Sequence, residues 1–126
     1  MRRRLENRVA LITGAARGIG KGIAARLVAE GARVAIADLN GEGARSTAAE
    51  LGASSKGDCA IGVRLDVTAA DSVRRAIEET RTTLGEVAII VNSAGFSKIA
   101  RIEDTTDEIW DRTLAINLKG VFLMCR

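Results

Sequence analysis

Histidine, tyrosine and proline are absent from these 126 residues, and the aromatic side chains number three: Phe96, Trp110 and Phe122. Without histidine there is no serine–histidine or cysteine–histidine nucleophile and no imidazole ligand for a metal, and no metal site is expected. With so few aromatic rings the core must be aliphatic and alanine-rich, which suits helices packed tightly on a sheet. Cysteine occurs twice, at Cys59 and Cys125, without metal-ligand spacing and in too small a number for a disulfide framework. Free thiols and a cytoplasmic location are the expectation. Long apolar runs are missing too: none approaches the roughly 20 residues of a membrane span. The stretch Val9 to Ile12 behind the N-terminal arginines runs into Gly14 and Arg17, too early for the core of a signal peptide.

An excess of one charge is also lacking once the chain is read in parts. Arg2, Arg3, Arg4 and Arg8, with Glu6, place four of the 19 basic and one of the 16 acidic side chains in the first eight residues. The remainder is balanced, so neither a nucleic-acid face nor a membrane surface is indicated. The arginine cluster reads as a solvated tail. Apolar residues make up 47% of the chain, a globular rather than a disordered composition, and the length suits one domain over residues 1–126.

Short aliphatic runs alternate with helical patterns. Val9 to Ile12, Val34 to Ala37 and Val87 to Val91 are continuously apolar, as parallel strands covered on both faces are. In Ala60 to Val67 the apolar residues Ile61, Val63 and Leu65 alternate. Between the runs, Ile19, Ile23, Leu27 and Val28 mark a helix ending at Gly31, an alanine-rich helix spans Glu42 to Leu51, and Val73, Ala76, Ile77, Thr80 and Leu84 mark a third that closes at Gly85. Thr68 and Asp71 have the spacing of a capping box for that third helix. A fourth helix starts at Thr105 or Thr106, with Asp107 and Glu108 suited to its dipole, and carries Trp110, Leu114, Val121 and Met124 on one stripe. The sequence stops while that helix is still apolar and reads as cut within it. Strand–helix alternation predicts an α/β chain of βαβ units in a right-handed parallel sheet.

Directly after the first strand comes Thr13-Gly14-Ala15-Ala16-Arg17-Gly18-Ile19-Gly20. Glycines there let the chain turn sharply and approach a ligand, and the helix that follows presents unpaired N–H groups to a pyrophosphate. A triphosphate-binding loop fails, because Ala15 stands where its first glycine belongs and Gly22 where a serine or threonine would hold magnesium. Asp38 lies 18 residues beyond Gly20, where a carboxylate accepts hydrogen bonds from an adenosine ribose and repels an extra phosphate. Taken alone, it is as readily a turn or cap residue. Asp66, Val67 and the segment Asn92-Ser93-Ala94-Gly95 follow strands three and four.

Thr-Gly-x-x-x-Gly-Ile-Gly at 13–20, Asp38, Asp66-Val67, Asn92-Ser93-Ala94-Gly95 and Asn117, in this order, resemble the short-chain dehydrogenase/reductase family over about Leu5 to Arg126. Ser93 departs from the asparagine common there. The resemblance implies an NAD(P)-dependent oxidoreductase acting on a small alcohol or ketone, commonly a homo-oligomer when full length. By that likeness the fold is an α/β, three-layer Rossmann sheet of order 3-2-1-4, ending after the fourth strand and the helix that follows. By the same likeness Gly14, Gly18, Ile19 and Gly20 hold the cofactor's diphosphate, Arg17 in the same loop is placed to pair with the extra phosphate of NADP, and Asp38 with Leu39 meets the adenosine ribose. Asp66 and Val67 take the adenine, and Asn92, Ala94 and Gly95 border the ribose. Asp38 favours NAD over NADP; Arg17 is the counter-signal. Asn117, a polar amide on an apolar stripe, is either a structural amide bonding a neighbouring carbonyl or, as the resemblance implies, the asparagine of an Asn-Ser-Tyr-Lys tetrad, holding a water in its proton relay. The serine, tyrosine and lysine of that tetrad have no counterpart here, and Ser97 follows the fourth strand too closely to serve. A dinucleotide-binding module without turnover is therefore the alternative.

Overall fold

The computed structural model describes residues 3–55 and 57–126, so Arg2 of the N-terminal cluster lies outside the described residues. Strands β1 (Val9–Thr13), β2 (Arg33–Asp38), β3 (Ala60–Arg64) and β4 (Val87–Val91) alternate with helices α1 (Gly18–Ala29), α2 (Gly41–Ala53) and α3 (Ala70–Leu84). All pairings are parallel, as the alternation predicts, and the order is β3-β2-β1-β4, as the family resemblance implies. Helices α4 (Asp107–Leu114) and α5 (Gly120–Cys125) follow, joined by a π-helical turn at Ala115–Lys119.

Successive strand residues point to opposite faces, and this divides the core into two layers. Ala10, Ile12, Val34 and Ile36 pack with Ala24 of α1 and Ala44, Ala48 and Leu51 of α2. Leu11, Ala35 and Val63 pack with Val73, Ala76 and Leu84 of α3 and with Leu123 and Met124 of α5. The alanines allow close approach: a Cβ on Gly62 of β3 would sit 2.4 Å from the Arg45 backbone of α2.

Four local expectations change. Helix α2 starts at Gly41 because Asn40 caps it, its Oδ1 accepting the Gly43 N–H at 3.0 Å. Strand β3 ends at Arg64, three residues early, since the Asp66 carboxylate draws the chain into a turn by accepting the Thr68 N–H and hydroxyl at 2.9 and 2.6 Å. Helix α3 has its N-cap one residue beyond Thr68, at Ala69, with no side-chain cap; the capping box does not form, and Asp71 pairs with Arg74 instead. The apolar stripe of the last helix is split as well. The π turn breaks the 3.6-residue period, leaving Trp110 60% exposed while Met124 is buried.

The N-terminal segment is not merely a solvated tail. Arg4 forms a two-pronged pair with Glu30 at 2.9 and 3.1 Å, and the Leu5 N–H donates to the Glu30 carbonyl. Glu30 is buried at the C-terminus of α1, where the helix dipole disfavours a carboxylate. Arg4 and Arg26 compensate, and the Arg4 hydrogen bonds above all hold its pKa down at about 2.

Candidate functional site

The ends of the four strands open into a cleft of about 390 Å³. It lies where the strand order reverses between β1 and β4, the place at which open parallel sheets of this kind bind ligands. Gly14, Arg17, Asp38, Leu39, Asp66, Val67, Ala94 and Gly95 line it together. Phe96, Arg112 and Ile116 complete the wall on the α4 side.

The β1–α1 turn is shaped by contacts that leave no room for a side chain. Gly14 has φ +61°, and a Cβ there would stand 2.7 Å from Ala94 Cα, so this glycine brings the β1 and β4 loops together. Gly20 is buried beneath it, its missing Cβ only 2.6 Å from the Gly14 carbonyl oxygen. Gly18 also has positive φ, but open space lies in front of it. Helix α1 has no side-chain cap, in contrast to α2, capped by Asn40, and α4, capped by Thr106. Its first N–H groups are thus left to an anion approaching over the glycine turn.

Asp38 braces this turn. One carboxylate oxygen accepts the Ala16 N–H at 3.1 Å and the other accepts the Asn40 N–H at 3.0 Å. Each oxygen keeps a lone pair for a further donor. Thr47 of α2 fixes the loop from the other side by donating to the Ala16 carbonyl at 2.8 Å. Asp66 points one oxygen into its own turn, as above. The bonds from the Thr68 hydroxyl and then the Thr68 N–H, with help from the charge of Arg64, hold its carboxyl below the usual carboxylate range. It stays an anion with one oxygen uncommitted.

Thr13 is the residue that sequence reasoning gave no role. Buried at the end of β1, its hydroxyl accepts the N–H groups of Ser93 and Ala94 at 3.1 and 3.0 Å and so ties the β4 loop to the glycine turn. The signal was a threonine as the last residue of an apolar strand, where a hydroxyl has a purpose only if a neighbouring loop needs an acceptor.

Not every residue singled out in the sequence reaches the cleft. Ile19 is exposed on the first turn of α1, and Asn92 turns its amide toward Cys125 Sγ at 3.7 Å. Asn117 is not buried. It sits exposed in the π turn, where its Oδ1 accepts the Phe96 N–H and its Nδ2 donates to the Phe96 carbonyl, both at 2.8 Å. This two-way clasp matches a peptide unit, holds the loop after β4 against the helix, and accounts for a polar amide at that position.

The family model for short chain dehydrogenases matches residues 8–126. D-threitol dehydrogenase of Mycolicibacterium smegmatis is 47% identical over 125 residues, 98% of this chain and 46% of that protein. Sorbitol dehydrogenase of Cereibacter sphaeroides is 48% identical over 121 residues, 96% of this chain and 45% of that protein. The crystal structure of 3-ketoacyl-(acyl-carrier-protein) reductase from Brucella melitensis, complexed with NADH, superposes with a TM-score of 0.88 at 38% identity, covering 97% of this chain and 49% of that one. The chain thus spans about half the length of the relatives it matches. A parallel sheet reversing at its β1–β4 cleft, a glycine turn pressed against the β4 loop, and a match to the family model from Arg8 to the last residue lead to one conclusion: the chain belongs to the short-chain dehydrogenase family.

Proposed function

We propose that this chain is the cofactor-binding part of an NAD(P)-dependent oxidoreductase that moves hydride between an alcohol or ketone and a nicotinamide. The observation that carries the reading is the uncapped N-terminus of α1 behind a glycine turn, opening on the same cleft as Asp38 and Asp66. These residues fit a dinucleotide. The turn from Gly14 to Gly20, with Ile19 and Arg17 beside it, holds the diphosphate. The free lone pairs of Asp38 accept the adenosine ribose hydroxyls, Leu39 covers that sugar, Asp66 takes the adenine amino group and Val67 its face. Ala94 and Gly95 border the ribose, and Asn92 just before them supports that loop from outside the cleft. When bound, the nicotinamide supplies the hydride acceptor or donor.

Asp38 supports NAD over NADP, since an added ribose phosphate meets a carboxylate already fixed by two backbone N–H groups. Arg17 is exposed beside the glycine turn and is the opposing charge in that loop. The relatives named for threitol and sorbitol make polyols the first substrates to test. Turnover requires a positioned proton acceptor, and these 126 residues contain no tyrosine or histidine. The chain by itself binds dinucleotide without catalysing dehydrogenation, and Asn117 organises the loop where a proton relay would begin. The whole protein works as a cytoplasmic homo-oligomer.

The test is calorimetric titration with NAD and NADP, alongside an absorbance assay with NAD and a panel of polyols. NAD binds more tightly than NADP, and Asp38→Ala weakens NAD roughly 10- to 100-fold, the equivalent of about 1.5–3 kcal/mol for a charge-assisted hydrogen bond, with the preference for NAD lost. Tighter NADP binding in the unaltered chain contradicts the cofactor assignment. Steady NADH production by the chain alone contradicts the assignment of catalysis to residues it does not contain.

A further inference from the structure

We infer that Arg112 is a specificity-determining wall of the cleft: held face-on by Phe96, its guanidinium stacks on the adenine of the bound dinucleotide. The inference rests on the dinucleotide reading and adds to it a residue that no motif contains. Arg112 Cζ lies 4.1 Å from the centroid of the Phe96 ring. Arg112 and Ile116 are one helical turn apart, and both line the cleft with Phe96, Asp66 and Val67.

Two features suggest a purpose. Arg112 enters no ion pair among the described residues, although Glu108 and Asp111 are its neighbours on α4, so its guanidinium is not drawn away from the cleft it lines. Its side chain lies over the aromatic ring. That ring is itself well positioned, because the Phe96 backbone is clasped from both sides by Asn117. Asn117 fixes Phe96, and Phe96 orients Arg112. A guanidinium is flat, weakly hydrated and able to stack on both faces. Phe96 lies over one face of the guanidinium; the adenine stacks on the other, within the cleft that Arg112 lines together with Asp66 and Val67.

The experiment is titration of the full chain with NAD, with adenosine and with nicotinamide mononucleotide, at low and high salt. Arg112 is exposed, so its replacement leaves the core untouched. Arg112→Met weakens NAD and adenosine alike, about three- to thirtyfold for a cation–π contact, and leaves nicotinamide mononucleotide unchanged. The loss persists at high salt because adenine is uncharged. Arg112→Lys does not restore binding, since it keeps the charge and loses the plane. Phe96→Leu weakens adenosine in the same direction and is not additive with Arg112→Met. Adenosine binding that is indifferent to Arg112 overturns the inference while leaving the dinucleotide reading intact. So does a loss confined to NAD and abolished by salt, which assigns Arg112 to the diphosphate. Failure of the unaltered chain to bind either NAD or adenosine removes the dinucleotide reading itself.

Discussion

Strands β1 and β4 are adjacent, parallel and nearly the same in composition, Val-Ala-Leu-Ile-Thr against Val-Ala-Ile-Ile-Val, yet they lead different lives. Every residue of β1 is buried, whereas β4 alternates between half-buried and exposed. The difference comes from neighbours. β1 has a strand on either side, α1 and α2 over one face and α3 over the other; β4 pairs on one side only. Identical hydrophobicity therefore predicts strand and not burial. The two edges of the sheet differ as well. β3 carries Gly62 and Arg64 and is overlaid by α2, while β4 has no charged residue along its length.

The comparison is broken most severely by emptying the better-covered strand. Leu11→Ala removes a fully buried side chain between two layers and destabilises the fold by about 2–5 kcal/mol, while Ile90→Ala, at a position 36% exposed, costs under about 1.5 kcal/mol. Urea denaturation of both variants measures the gap, and equal losses would mean that β4 is as well covered as β1.

Next in size is the effect of the edge. A flat, uncharged, aliphatic edge strand invites pairing with another chain. The chain self-associates at tens of micromolar, and Ile90→Lys reduces that association without a large change in secondary structure. Sedimentation velocity reads both, and a monodisperse unaltered chain would remove the expectation.

The smallest effect is ionic. On the β1 side, Glu30 is buried and held by Arg4 and Arg26; on the β4 side, the Arg101–Glu103 pair is exposed at 3.9 Å and contributes little. The folded pKa of Glu30 lies near 2 against an ordinary 4.5. A depressed carboxylate contributes stability that is complete above its unfolded pKa and is lost as pH falls toward the folded one. Thermal midpoints therefore decline between about pH 4.5 and 2. Asp66 and Glu78 are shifted in the same direction, so the Glu30→Gln variant isolates the share of Glu30: its midpoint is lower at neutral pH and falls less across that window. Parallel curves for the two proteins would show that Glu30 carries none of the decline.

Much of this was legible in the residues. The four aliphatic runs led to a parallel sheet, because a continuous apolar run needs cover on both faces and a parallel sheet needs crossovers; its strand order followed from the motifs shared with the family. Asp38 and Asp66 were legible as carboxylates at strand ends. What escaped was reciprocity. Asp38 was read as facing a ligand, and it also braces the turn at Ala16. Thr68 and Asp71 had the spacing of a capping box, but the turn that Asp66 makes with Thr68 sets the N-cap of α3 one residue later, at Ala69. Asn117 looked like an amide on an apolar stripe, and the stripe was drawn with an α-helical period that the π turn does not keep. The roles of Thr13, the first residue of the glycine motif, and of Arg112, which belongs to none, lie in partners 80 and 16 residues away along the chain, at Ser93 and Phe96.

The sequence by itself determined where the chain extends, turns and coils, because aliphatic runs, glycine placement and helical spacing act through local sterics and the simple need to bury apolar surface. Only the tertiary structure decided which of two equal strands is sealed, which carboxylate oxygen is already engaged, and that Arg112 meets Phe96 at the mouth of the cleft. Those outcomes depend on contacts between residues far apart in the chain, and a hydrogen bond or a stacked cation has no period to be read beforehand.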